Sequence, residues 1–178
     1  QGAHALPVIT ALTVQDNDRV FVVEAVAPEL LRRQALALID KMAIHAVKIG
    51  IPGSAANAAV IAQLVRQLRQ ARPDLPVVLD PVLASGHGDV LSRDDAVLAL
   101  APLLPLTTVI VPNGPEALAL GGVENLRAQG CQHVLVTGGH GDGEAVLNRW
   151  FDAEGGEREW RWPRLPGEFH GSGCTLAS

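Results

Sequence analysis

His45-Ala-Val-Lys-Ile-Gly50, the run from Ser54 to Ala71, and Pro76-Val-Val-Leu-Asp80 read in order as a strand, a helix and a second strand. Both strand runs are short and largely apolar, the pattern of strands covered on both faces. Between them Pro52-Gly53 makes a turn, and Ser54 is placed to cap the helix. Val60, Ile61, Leu64 and Leu68 form the inward stripe of that helix. Two strands joined through a helix pair in parallel, because a hairpin cannot supply that connection.

The alternation continues on either side. Leu6–Thr13 reads as a buried strand and Arg19–Val26 as a second strand at an edge. Pro28 opens a helix running from Glu29 to about Ala43, with Leu31, Ala35, Leu38 and Met42 on one face. Downstream, Ser92 and Asp95 have capping-box spacing for a helix ending about Leu104. Thr107–Val111 is a strand stopped by Pro112-Asn113, and another helix starts near Pro115. His133–Thr137 is a strand followed by the glycine-rich turn Gly138–Gly143. Ala145–Asp152 and Glu157–Pro163 read as an antiparallel pair around Gly155-Gly156. Leu120–Cys131 is short for closing one helix and completing another, which points to a missing loop. The expected class is α/β, a three-layer α-β-α sandwich with a mostly parallel central sheet.

Composition narrows the function. The chain has 178 residues, 48% of them apolar, and a net charge of −5. That length supports one domain with a sizeable core. The acidic balance argues against a nucleic-acid surface. No apolar run reaches the roughly 18 residues of a membrane span, and no signal peptide is visible. Cys131 and Cys174 lack metal or CxxC spacing, as do the six histidines. A reduced, cytoplasmic protein is expected. The start at Gln1 and the stop soon after Cys174 suggest an internal stretch of a longer protein.

The polar residues at the strand ends are Gln15, Lys48, Asp80, Asn113, Glu116 and the Gly138–Gly143 turn. In open α/β sheets ligands bind outside the carboxyl ends of strands, so a shared edge makes these candidates. Asn113 and Glu116, three residues apart at a helix start, suit a hydrated Mg²⁺ or, more simply, an N-cap with a first-turn acid. The end of the chain is the sharpest motif: His170-Gly-Ser-Gly-Cys174-Thr-Leu-Ala-Ser178. Two glycines ahead of a cysteine read as a tight loop opening a helix, where unpaired N–H groups attract anions. A thiol placed there is expected to have a lowered pKa.

Taken together, these residues resemble the hydroxymethylpyrimidine/phosphomethylpyrimidine kinases of thiamine biosynthesis, within the ribokinase-like superfamily. The matching stretches are Pro7–Gln15, Ala46–Gly50, Val78–Val82, Pro112-Asn113 with Glu116, Gly138–His140 and His170–Leu176. They span almost the whole chain in family order. Cysteine at position 174 is the discriminating feature, since most sugar and pyridoxal kinases of this superfamily carry aspartate there. The resemblance implies a single ribokinase-like kinase domain over residues 1–178, without the family's N-terminal strand region and C-terminal helices.

It also implies ATP-dependent phosphorylation of 4-amino-5-hydroxymethyl-2-methylpyrimidine and then of its monophosphate. Gln15 and Ile51 would contact the pyrimidine, and Cys174 would be the base. The N–H groups of Gly171, Ser172, Gly173 and Cys174 would hold the transferring phosphoryl. Asp80 and Asn113 would serve the phosphates, Glu116 and Asp80 the Mg²⁺, and Gly139 and Thr175 the nucleotide side. Many relatives have methionine at the position of Ile51, a volume-tolerant exchange, and lysine at that of Thr137, so no phosphate role passes to Thr137. A homodimer is expected, since relatives are often dimers and Arg19–Val26 offers an edge. The alternatives are a pyridoxal/pyridoxine kinase of the same fold, a non-catalytic pyrimidine-binding relative, and a cysteine hydrolase in which His170 activates Cys174.

Overall fold

The computed structural model describes residues 2–16, 20–83, 96–139, 143–166 and 172–178, the last segment without the Ser172 side chain. Its central sheet has six strands: β3 (Val47–Ile49), β4 (Val77–Leu79), β5 (Val109–Ile110), β6 (His133–Val136), β7 (Ala145–Phe151) and β8 (Glu157–Pro163), in that spatial order. β3 to β6 are parallel, and β7 and β8 extend the sheet as an antiparallel hairpin. Two further strands, β1 (Ala11–Gln15) and β2 (Val20–Ala25), pair only with each other as an antiparallel ribbon.

The register aligns Ile49, Leu79, Ile110 and Val134 across the four parallel strands. Against this row pack α2 (Ala55–Ala71), α3 (Ala96–Leu100) and α5 (Gly122–Ala128), through Ala58, Ala62, Val65, Leu100 and Leu126. Burying each large aliphatic side chain is worth about 1.5–3 kcal/mol, so this layer is the main source of cohesion. α1 (Pro28–Ile39) packs outside α2 through Leu31, Ala35 and Leu64. On the sheet's opposite face Val78, Val109 and Leu135 are half-buried.

Several local signals act as expected. Ser54 caps α2 by accepting a hydrogen bond from the Asn57 N–H at 3.1 Å. Pro28 stands at the start of α1. The β7–β8 hairpin turns at Gly155, whose φ of 93° favours glycine.

Other expectations are corrected. The strand read at Leu6–Thr13 lies at Ala11–Gln15, and most of it is exposed because only β2 backs it. α1 stops at Ile39 rather than Ala43, where the Asp40 N–H bonds back to the Leu36 carbonyl, so Met42 is exposed. The helix read as running to Leu104 ends at Leu100, and a 3-10 turn follows at Leu104–Leu106. Pro102 and Pro105 explain the change, since neither can donate to a continuing helix. The Ser92/Asp95 capping pattern lies outside the described residues. Leu120–Cys131 closes α4 (Gly114–Ala119) and builds α5 by using Gly121, Gly122 and Gly130 at positive φ.

Candidate active site

Parallel pairing brings the carboxyl ends of β3 to β6 to one edge. Lys48, Asp80, Asn113 and the Thr137-Gly138 step arrive there together, and Asn113 bridges Thr137 directly. Asp80 remains in the sheet's hydrogen-bond register, its N–H bonding the Ile49 carbonyl at 2.9 Å. Its side chain is therefore held inside the edge and is only 9% exposed. Lys48 Nζ approaches Asp80 Oδ2 to 3.6 Å, an ion pair longer than a hydrogen bond, and among the described residues Oδ2 has no hydrogen-bond partner. Desolvating a carboxylate oxygen without a donor is costly. Such an oxygen at a strand-end edge marks the place where a ligand belongs.

Asn113 and Glu116 form a reciprocal capping box at the start of α4. The Glu116 N–H donates to Asn113 Oδ1 at 2.8 Å, and the Asn113 N–H donates to Glu116 Oε2 at 2.8 Å. A third donor, the Leu83 N–H, reaches Glu116 Oε1 at 3.5 Å. Burial pushes the Glu116 carboxyl above its ordinary range; the hydrogen bonds from Asn113 and Leu83 oppose this, and the nearby Asp80 charge adds to it. The simpler reading, a helix cap, is thus realised. Even so, Glu116 shares its electrostatic environment with Asp80. Two carboxylates, one with an open acceptor, fit a hydrated divalent cation that takes few protein ligands. Among the described residues no group of three or more His, Cys, Asp and Glu side chains gathers as a metal cage.

Cys174 is exposed and lies in the short helix α6 (Ser172–Leu176). Its thiol senses the charges of both Asp80 and Lys48. The expected lowering of its pKa is overturned: the thiol is pushed up, first by partial burial and then by the Asp80 charge, with Lys48 pulling the other way. A five-residue helix supplies little dipole to counter a carboxylate in contact. Gly173 and Thr175 are exposed on the same helix, Ser172 is its first residue, and Gly171 and His170 lie outside the described residues.

Lys48, Asp80, Glu116 and Cys174 therefore form one cluster, with Asn113 behind Glu116. Gln15 is exposed at the tip end of the ribbon, and half-buried Ile51 sits in the turn after β3. The Ile51 carbonyl accepts a hydrogen bond from the Thr10 hydroxyl at 2.6 Å, so that turn touches the ribbon's base. Gly139 is exposed beyond β6, and its carbonyl accepts from Arg164 Nη1 at 2.7 Å. Arg164 also donates to the Gly143 carbonyl at 2.8 Å, tying the two sides of the turn; residues 140–142 lie outside the described residues. His133 stacks on Trp150 with ring centroids 4.9 Å apart, a structural role.

Sequence reasoning left Lys48 undecided, and the fold turns it toward Asp80. It missed Arg164 and Asn57. Asn57 had a signal: a lone amide among alanines, four residues before Ile61 on the inward stripe of α2.

Known proteins resemble the chain along all of its residues. The phosphomethylpyrimidine kinase family model matches residues 1–178. The chain is 36% identical over 192 aligned positions to the hydroxymethylpyrimidine/phosphomethylpyrimidine kinase of Streptomyces coelicolor, covering 99% of this chain and 68% of that protein. To the Escherichia coli protein of the same name it is 32% identical, covering 99% of this chain and 70% of the relative. Among solved structures, a Clostridium difficile phosphomethylpyrimidine kinase aligns with a TM-score of 0.76 at 28% identity, over 89% of this chain and 72% of the other. A Bacillus subtilis pyridoxal kinase solved as an ADP complex aligns with a TM-score of 0.79 at 25% identity, over 96% and 68%. The α/β, ribokinase-like fold is shared with these vitamin kinases. By similarity along the whole of its residues 1–178, the chain belongs to the phosphomethylpyrimidine kinase family of phosphotransferases.

Proposed function

We propose that the chain transfers the γ-phosphoryl group of ATP to the hydroxymethyl group of 4-amino-5-hydroxymethyl-2-methylpyrimidine and then to the resulting monophosphate. The observation that carries this reading is the open Asp80 acceptor beside Lys48 and Cys174 at the edge formed by the parallel strands. Phosphoryl transfer asks a protein chiefly for alignment and charge stabilisation, which a rigid sheet edge supplies.

In this reading Gln15 hydrogen-bonds the aminopyrimidine edge, since an amide donates and accepts at once, and Ile51 lines the ring pocket. The backbone N–H groups of Gly171, Ser172, Gly173 and Cys174 cradle the transferring phosphoryl. Asn113, Gly139 and Thr175 serve the nucleotide side. Asp80 and Glu116 would hold Mg²⁺, which when bound would offset phosphate charge. In the first transfer the alcohol's proton goes to the Cys174 sulfur as its oxygen bonds the γ-phosphorus and the bond from that phosphorus to the bridging oxygen breaks, releasing ADP. Only the thiolate can accept that proton; Lys48 favours that form and Asp80 opposes it.

A cytoplasmic setting suits a working thiol, and among the described residues no helix is long and apolar enough to cross a membrane. A homodimer fits the apolar side chains left exposed on the ribbon, Leu12, Val14, Phe21 and Val22. The second reading, a pyridoxal kinase, is favoured by the likeness to the Bacillus subtilis enzyme. The deciding experiment measures ATP consumption by the full-length protein with hydroxymethylpyrimidine, its monophosphate and pyridoxal in parallel. Preferential turnover of both pyrimidines is expected. Turnover of pyridoxal alone selects the second reading, and pyrimidine binding without turnover selects a non-catalytic role.

A further inference from the structure

Asn57, the third residue of α2, is fully buried. Its Nδ2 lies 3.1 Å from the Thr10 carbonyl, 3.0 Å from the Val26 carbonyl and 3.1 Å from the Pro52 carbonyl. These acceptors belong to three separate segments: the residue entering β1, the residue leaving β2, and the turn after β3. An amide has two hydrogens, so three acceptors around one nitrogen share them. Among the described residues the Asn57 Oδ1 has no hydrogen-bond partner.

The same junction is tightened twice more. The Thr10 hydroxyl donates to the Ile51 carbonyl, the neighbour of Pro52. Gly53 has φ 83°, and a Cβ there would stand 3.1 Å from the Ala11 Cβ and 3.3 Å from the Ala25 Cβ. The turn and the ribbon's base are thus in close apposition, with little room for a side chain between them.

We infer that Asn57 is a positioning residue that clamps the base of the β1–β2 ribbon to the Ile51–Gly53 turn and so sets where the ribbon's tip carries Gln15 for binding the pyrimidine. The inference rests on the proposed substrate reading for Gln15. The lever arm gives it force. At about 3.4 Å per residue, the five residues of β1 carry Gln15 about 17 Å from the clamp. A tilt of about 10° at the base then displaces the tip by about 3 Å, enough to break a hydrogen bond to the ring. Beyond its base the ribbon is mostly exposed, so little else resists that tilt.

The test compares Asn57→Leu and Thr10→Val with the parent in the full-length protein. Asn57→Leu is expected to raise KM for hydroxymethylpyrimidine at least about fivefold while ATP KM stays within about twofold, as misplacement of one substrate contact demands. Amide hydrogen exchange should accelerate in β1, β2, Ile51 and Gly53 but not in β3 to β6. Thr10→Val removes only the hydroxyl bond to Ile51 and should shift the same quantities in the same direction by less. It keeps the inference testable if Asn57→Leu does not fold. Equal effects on both substrates, unchanged KM values, or exchange accelerated uniformly through the sheet would overturn the clamp. If the parent does not phosphorylate the pyrimidine, the substrate reading fails; the exchange pattern still decides the clamp, since unchanged ribbon protection in both variants refutes it.

Discussion

At the scale of single residues, charge decides more than position. Cys174 follows a glycine loop at a helix start, a setting that ordinarily favours thiolate, yet the Asp80 carboxylate beside it helps hold the proton on. Alkylation of Cys174 by iodoacetamide should therefore accelerate at a pH above the ordinary thiol range of about 8–9. Cys131, buried and pushed up to about 12, is the unreactive internal control. A midpoint below about 8 would contradict the arrangement of Asp80 against the thiol. Cys174→Ser should keep pyrimidine binding and lower turnover by at least about tenfold, less than the about 10²–10⁴-fold a general base typically contributes because serine keeps a hydroxyl there; unchanged kcat would remove the sulfur from the reaction. Glu116 gives a stability test. Its folded pKa is raised, so its favourable contribution is present at acid pH and is lost as pH rises through the folded value. Glutamine keeps a carbonyl oxygen for the Asn113 N–H and avoids that loss. Urea midpoints should thus favour Glu116→Gln progressively as pH rises from about 4 to about 7, whereas a pH-independent difference would refute burial as the cause.

At the scale of elements, the turn after β6 carries the clearest constraint. Gly138 packs so closely on the neighbouring hairpin that a Cβ would stand 2.6 Å from the Leu147 nitrogen. Its N–H donates to Asn148 Oδ1 at 3.1 Å, and Arg164 ties the same turn to the chain beyond β8. Gly138→Ala should cost about 1–3 kcal/mol of stability, the usual penalty of overpacking. The measurement is a shift of the denaturation midpoint at constant slope; an unshifted midpoint would show that the hairpin yields. Elements governed by their own residues were legible in the sequence. Ser54 caps its helix, Pro28 opens one, and β8 spans Glu157–Pro163 as read. Elements governed by distant partners were not. β1 is apolar enough to read as buried, but the ribbon pairs away from the main sheet and leaves Leu12 63% exposed.

At the scale of the whole molecule, the parallel sheet gathers the candidate site and the ribbon stands apart from it. The apolar side chains exposed on the ribbon are a candidate contact between copies. Sedimentation of the full-length protein should show a dimer that Val14→Lys converts to monomer without loss of helical signal. A monomeric parent, or a variant that stays dimeric, would move the contact elsewhere or remove it.

From its amino acids alone the chain settled the strand–helix alternation, its kinase family and the residues that end each parallel strand, because caps, turns and apolar periodicity are local. Only the tertiary structure decided that Lys48 faces Asp80, that Asp80 opposes ionisation of Cys174, and that Asn57 joins three carbonyls. Those outcomes depend on distances between groups far apart in the chain and on how little water separates them. Neither quantity is written in the order of the residues.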